Sequence, residues 1–121
     1  MIKRNIGFIG CGNLALQAIK TLSGSYNIFY SNLSINQAAE NLSAERLETI
    51  DLTKKCDVIF ITVKPNVTAE VLSSIASQLK NQLVISFVAG ISRSKLVDLA
   101  GGYKNIAVSY THLTLPTMYT V

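Results

Sequence analysis

The chain has 121 residues, 49% of them hydrophobic and 15% charged, with a formal net charge of +4. That composition fits about one globular domain and excludes a disordered or charge-driven tail protein. No apolar run approaches the roughly 18 residues of a membrane-spanning helix, and the cations are scattered (Lys3 with Arg4, Lys54 with Lys55), so no membrane or nucleic-acid partner is expected.

Strand and helix signals alternate along the chain. Asn5 to Ile9 is a short apolar run ended by Gly10 and Gly12, and reads as a strand. Leu14, Ile19 and Leu22, with Ala15 and Ala18, give a helical face closed by Gly24. Tyr26 to Tyr30 predicts a second strand, and Ser34 a cap for a short helix through Leu42. Leu47 to Ile50 reads as a weak third strand, and Lys54 to Cys56 as a turn or a helical turn.

The middle is plainer. Asp57 to Val63 is apolar apart from Thr62 and its first residue, as in a parallel strand covered on both faces, and Pro65 ends it. Asn66 to Leu79 predicts a helix with Val67, Val71, Leu72, Ile75 and Leu79 on one stripe. Leu83 to Val88 is another buried strand, closed by Ala89-Gly90. Ser92 caps a helix through Leu99 that Gly101-Gly102 stops, and Asn105 to Val108 starts a further strand. Helices between strands predict an α/β fold, a doubly wound parallel sheet of Rossmann type with strand order 3-2-1-4-5-6.

Gly10-Cys11-Gly12-Asn13-Leu14-Ala15 fits G-x-G-x-x-A directly between a strand and a helix. Gly10 takes backbone angles closed to other residues, Gly12 lets a pyrophosphate approach the main chain, and Ala15 permits close helix packing. The helix start offers free N–H groups and a positive dipole end to phosphates. The bland alternative is an ordinary glycine-rich turn. Cys11 reads as a small residue in that turn rather than a reactive thiol. With Cys56 it forms no spaced pair, so a reduced, cytoplasmic protein is expected, and the single His offers no metal site. An export signal is disfavoured too, because the apolar stretch before Cys11 is shorter than the roughly 7 to 15 residues required.

Cofactor choice turns on the end of the second strand, where NAD sites usually carry an acid. Here the chain reads Tyr30-Ser31-Asn32-Leu33, with no carboxylate until Glu40. Ser31 and Asn32 can donate to a 2′-phosphate, which favours NADP over NAD, although no Arg follows immediately. The competing reading makes them a simple turn. Thr62-Val63-Lys64-Pro65 and Phe87-Val88-Ala89-Gly90 lie at carboxyl ends of the next strands, the edge where such sheets bind ligands. Taken alone, each is more often a turn and a core strand.

Together, Ile6 to Ala15 (I-G-F-I-G-C-G-N-L-A), Asp57 to Pro65 (D-V-I-F-I-T-V-K-P) and Val84 to Ser92 (V-I-S-F-V-A-G-I-S) resemble the N-terminal domain of pyrroline-5-carboxylate reductase, over about Ile6 to Val108. The first motif is shared by many NADP enzymes; the other two make the resemblance more specific. It implies an oxidoreductase of proline biosynthesis, reducing 1-pyrroline-5-carboxylate to L-proline with NADPH. By the same resemblance Ile9, Gly10, Cys11, Gly12, Asn13 and Leu14 hold the pyrophosphate, and Ser31 lies at the ribose phosphate. Thr62, Val63, Lys64 and Pro65, with Phe87, Val88 and Ala89, flank the nicotinamide ribose and ring. The resemblance also implies a helical second domain, reached through a Met-Pro-Asn-Thr-Pro type segment, that dimerises and supplies most of the imino-acid site. Neither is read in this sequence, so the full-length enzyme is expected to be a homo-oligomer and this chain its cofactor-binding fragment, inactive alone.

The last stretch departs from the family. Val108-Ser109-Tyr110-Thr111-His112-Leu113-Thr114-Leu115-Pro116-Thr117 back-translates as GTC TCT TAT ACA CAT CTG ACG CTG CCG ACG, which is consistent with a transposase adapter used in sequencing libraries. Residues 1–108 are therefore expected to form the dinucleotide-binding domain and 109–121 a foreign tail, which leaves His112 a poor catalytic candidate. The alternative is a natural sixth strand in which Ile106, Val108 and Tyr110 alternate. No catalytic residue is singled out. Two other functions stay open: a related NADP-dependent reductase of another substrate, and a stand-alone, non-catalytic dinucleotide-binding domain.

Overall fold

A computed structural model describes residues 4–109 as one parallel sheet with helices in its crossovers. Strand β1 (Asn5–Ile9) leads into α1 (Asn13–Leu22), and β2 (Asn27–Ser31) into α2 (Gln37–Asn41). The two-residue β3 (Glu45–Arg46) precedes α3 (Thr49–Lys55). Then come β4 (Val58–Ile61), α4 (Pro65–Ile75) with a 3-10 turn to Gln78, β5 (Leu83–Ser86), α5 (Arg93–Leu99) and β6 (Ile106–Val108). The order across the sheet is β3-β2-β1-β4-β5-β6, all pairs parallel, as expected of a doubly wound fold. Among the described residues no helix is long and apolar enough to cross a membrane.

Two clusters pack on the sheet. The larger joins Ile9, Phe29, Ile59, Ile61, Val84 and Ile106 of the strands to Leu52, Leu72, Ile75 and Leu96 of α3, α4 and α5. Gly7 lets α3 sit this close: a Cβ there would lie 2.5 Å from Leu52 Cδ2. The smaller cluster joins Ile6, Phe8, Ile28 and Tyr30 to Ala15 and Ile19 of α1 and Ala39 of α2. Among the described residues only α1 and α2 supply helical residues there, so β4 is not covered equally on both faces as its sequence predicts. Ile59 and Ile61 are buried, whereas Val58 and Phe60 are half-buried. Phe60 is covered by aromatic neighbours, stacking on Phe8 with centroids 4.8 Å apart and tilting against Phe87 at 5.3 Å.

Three further expectations are corrected. Leu47 to Ile50 is not a strand; β3 is Glu45–Arg46, and Thr49–Ile50 open α3. Helical spacing wins because Leu52 and Cys56, four apart, are both buried and Thr53 Oγ1 donates to Thr49 O at 2.8 Å. The cap of α2 is Asn36, not Ser34, since Asn36 Oδ1 accepts from Ala39 N at 3.1 Å. The helix after Pro65 tightens to a 3-10 turn at Ala76 rather than running on to Leu79. The expected cap Ser92 does cap α5, accepting from Lys95 N at 3.2 Å. Of the tail expected to be foreign, Tyr110 onward lies outside the described residues. Ser109 is described, and its N–H donates to Ser86 O at 2.8 Å.

Candidate functional site

The glycine turn is held from both sides. Gly10 N donates to Ser31 O of β2 at 2.9 Å, and Thr62 N at the end of β4 donates to Ile9 O at 2.9 Å. The Thr62 hydroxyl lies 2.7 Å from Gly10 O and 3.1 Å from Ile9 O, so one proton serves both carbonyls. Asn36 Nδ2 donates to Cys11 O at 2.9 Å, and Leu16 N to Gly12 O at 3.0 Å. Every carbonyl from Ile9 to Gly12 is thus engaged by the protein, which leaves the turn presenting donors to the outside.

Two glycines of the turn are glycine for different reasons. Gly10 has φ +94°, and a Cβ there would lie 2.9 Å from Val63 Cγ1 and 3.0 Å from Thr62 O, so the fold itself demands glycine. Gly12 has φ −98° and ψ −160°, extended backbone open to any residue, and a Cβ there meets nothing within 4 Å. Among the described residues no atom explains the missing side chain at Gly12. It stands at the N-terminus of α1, which has no side-chain cap, while Ala15 one turn on is fully buried against the sheet. Free N–H groups, a positive dipole end and an empty approach make this an anion cradle.

The cradle opens into a cleft of about 860 Å³ at the carboxyl ends of β1, β2 and β4. Of the residues singled out from sequence, Ile9, Gly10, Cys11, Gly12, Ser31, Asn32, Thr62, Val63 and Lys64 line it. Asn13 and Leu14 sit exposed on the first turn of α1, and Pro65 is exposed as the first residue of α4. The third motif stands apart from the lining. Phe87 is half-buried against Phe60, Val88 belongs to the larger core cluster, and Ala89 is exposed beyond β5.

The cleft also takes residues that the sequence reading missed, among them Arg46, Glu48, Thr49 and Glu70. Ser31 is buried and its Oγ lies 2.6 Å from Thr49 Oγ1. Asn32 Nδ2 donates to Ser34 O at 3.2 Å. Glu40, the first acid after β2, accepts from Tyr30 Oη at 2.6 Å and does not line the cleft. Arg46 was invisible because its partners, the Asn32 and Leu33 carbonyls, lie 14 and 13 residues away in sequence.

Cys11 lines the cleft but is free and buried, and burial pushes its thiol pKa up, away from the reactive thiolate. Cys56 is pushed up to about 12 by burial, with Asp57 adding to the effect. Among the described residues no His, Cys, Asp or Glu cluster can hold a metal ion. A second hollow, about 800 Å³ at the amino ends of β4 and β5, is lined by Arg4, Lys54, Lys55 and Lys80 beside Asp57.

Comparison with known proteins agrees with this architecture. Residues 5–90 match the family model described as NADP oxidoreductase, coenzyme F420-dependent. Pyrroline-5-carboxylate reductase of Escherichia coli (strain K12) is 28% identical over 115 residues, covering 87% of this chain and 43% of that protein. The Arabidopsis thaliana pyrroline-5-carboxylate reductase is 27% identical over 113 residues, covering 85% and 41%. Plasmodium falciparum pyrroline carboxylate reductase, solved with NADP bound, superposes with a TM-score of 0.77 at 24% identity, over 89% of this chain and 42% of that one. At that identity the likeness shows the fold. The chain spans less than half the length of the curated relatives it matches.

Proposed function

The chain belongs to the family described as NADP oxidoreductase, coenzyme F420-dependent, and on that premise we propose that it is the nucleotide-binding part of an NADPH-dependent pyrroline-5-carboxylate reductase. The observation that carries the nucleotide reading is Gly12: an uncapped helix start whose missing side chain answers to no atom of the described residues. An approaching pyrophosphate supplies the reason. The substrate comes from the relatives named above, which cover most of this chain at 27% and 28% identity.

In this reading Ile9 to Leu14 bind the pyrophosphate, with Gly12 giving the close approach and the α1 start the donors. Ser31 and Asn32 form the wall at the adenosine ribose. Thr62 holds the glycine turn in place through its hydroxyl rather than by spare polarity of its own. Val63 and Lys64, an exposed cation on the cleft wall, border the nicotinamide end, and Pro65, Phe87, Val88 and Ala89 are assigned there by the family resemblance, since they lie outside the cleft lining. When bound, the reduced nicotinamide supplies a hydride to the C=N carbon of a protonated 1-pyrroline-5-carboxylate, giving L-proline. A protonated imine accepts hydride readily, so the protein's part is to orient two ligands and keep water out. The full-length enzyme acts as a homo-oligomer, and the free, buried cysteines fit a reducing cytoplasm. Residues 1–108 are the nucleotide-binding domain and 109–121 a foreign tail; reading the gene beyond codon 107 from its source DNA tests this.

Titration of the purified chain with NADPH tests the site. Saturable binding that Gly12→Val abolishes without loss of the folded signal supports it, since the backbone there is extended and a Cβ meets no described atom within 4 Å. Unchanged affinity in the variant overturns it. Incubated with NADPH and 1-pyrroline-5-carboxylate, the chain alone is expected to form no proline above a no-protein control; turnover would contradict its role as the cofactor-binding part.

A further inference from the structure

We propose that Arg46, carried on β3 rather than on the loop after β2, is the residue that selects NADPH over NADH by meeting the adenosine 2′-phosphate; this rests on the nucleotide reading above. The sequence places the burden on Ser31 and Asn32, but both are already engaged, Ser31 Oγ with Thr49 Oγ1 at 2.6 Å and Asn32 Nδ2 with Ser34 O at 3.2 Å. Neither brings charge. Arg46 stands beside them on the cleft wall and brings a full one.

Its guanidinium is held in a fixed plane. Nε and Nη2 donate to Asn32 O at 3.1 and 2.8 Å, and Nη2 also reaches Leu33 O at 3.3 Å. These acceptors are neutral carbonyls, so the bonds fix the fork without cancelling its charge, and Nη1 takes no part in them. Pairing of Arg46 with Tyr30 across the β2–β3 ladder sets the Cα position, so strand and loop together aim the group at the place where β2 ends. A pre-oriented, half-buried guanidinium is the side chain best matched to a phosphate. The charges opposing it in the cleft are Glu48 and Glu70, and Lys64 is the other cation. An acid at the end of β2 that would hold an unphosphorylated ribose is missing, since Glu40 is committed to Tyr30.

The test is fluorescence titration of the chain and its Arg46→Gln and Arg46→Lys variants with NADPH and, separately, NADH, at low and high salt. In Arg46→Gln the NADPH dissociation constant is expected to rise about tenfold or more, as for loss of a charge-assisted hydrogen bond, while that for NADH barely changes. Arg46→Lys keeps the charge without the fork and should fall between. Salt should weaken NADPH binding more in the parent than in Arg46→Gln. Equal losses for both nucleotides would make Arg46 a clamp for the Asn32-Leu33 loop and overturn the proposal. Should Arg46→Gln fail to fold, the NADPH-to-NADH ratio of Arg46→Lys decides: an unchanged ratio overturns the proposal and a several-fold fall supports it. A parent chain that binds neither nucleotide overturns the nucleotide reading itself, a result distinct from loss of selectivity.

Discussion

Helices α2 and α5 close their own N-termini with side chains, whereas α1, α3 and α4 do not. Asn36 and Ser92 accept from Ala39 N and Lys95 N, and neither residue lines the cleft. Gly12, Glu48 and Lys64, which stand at the other three starts, make no such bond, and all three line it. A helix start left without a side-chain partner costs from a few tenths of a kcal/mol where the residue is glycine to about 1 kcal/mol otherwise, so the open starts are where an outside acceptor would repay the loss. All five helices start at the carboxyl edge of the parallel sheet, and the open starts are the ones that line the cleft. The contrast separates the helix starts that line the cleft from those that close themselves.

The sharpest way to break this contrast is to close the open start of α1. Gly12→Asp puts a capping acid at an extended residue with free space around it. Thermal stability is expected to hold or rise by a few tenths of a kcal/mol, because Asp is a better cap than Gly. NADPH binding is expected to fall below detection, since the new charge faces the phosphates. Retained binding would show that the nucleotide sits elsewhere. Gly10→Val is the converse case, because there the fold and not the ligand demands glycine. The positive φ and the 2.9 Å approach to Val63 predict a loss of about 2–5 kcal/mol in a denaturant melt, from backbone strain and overpacking together. Ser92→Ala should cost about 1 kcal/mol of stability and leave NADPH affinity unchanged, as removal of a cap that does not line the cleft. The smallest effect is chemical. Because burial raises both thiol pKa values, Cys11 and Cys56 should resist iodoacetamide at pH 8 in the folded chain and react only once it is unfolded. Prompt labelling of Cys11 in the folded chain would mean that the glycine turn opens.

The parts of the molecule legible in the sequence are those where one local pattern decides. The run from Val58 to Ile61, the glycine turn after β1, and Ser92 ahead of a helical stripe each carry their reason within a few residues, and the sheet order follows from the alternation of elements. What escaped depends on partners distant in sequence. Asn36 outdoes Ser34 as a cap because its other arm also reaches Cys11 O, 25 residues back. Leu47 to Ile50 carries a strand-like composition, but Leu52 and Cys56 draw the segment into a helix against Gly7. Half-exposure of Val58 and Phe60 reflects which helices lie over that face, which no strand's own composition encodes. In the cleft, the glycine turn was readable from its motif, whereas Arg46 came into view only when β3 paired with β2.

The most direct test of the open-start account is an amide-resolved NMR titration of the chain with NADPH. The N–H signals of Cys11 to Ala15 are expected to shift most, with those of Ser31, Asn32 and Val63 following, while the capped start of α5 from Ser92 to Lys95 stays in place. Shifts centred instead on Arg4, Lys54 and Lys80, at the opposite edge of the sheet, or no shift at Gly12 at saturating NADPH, would contradict it.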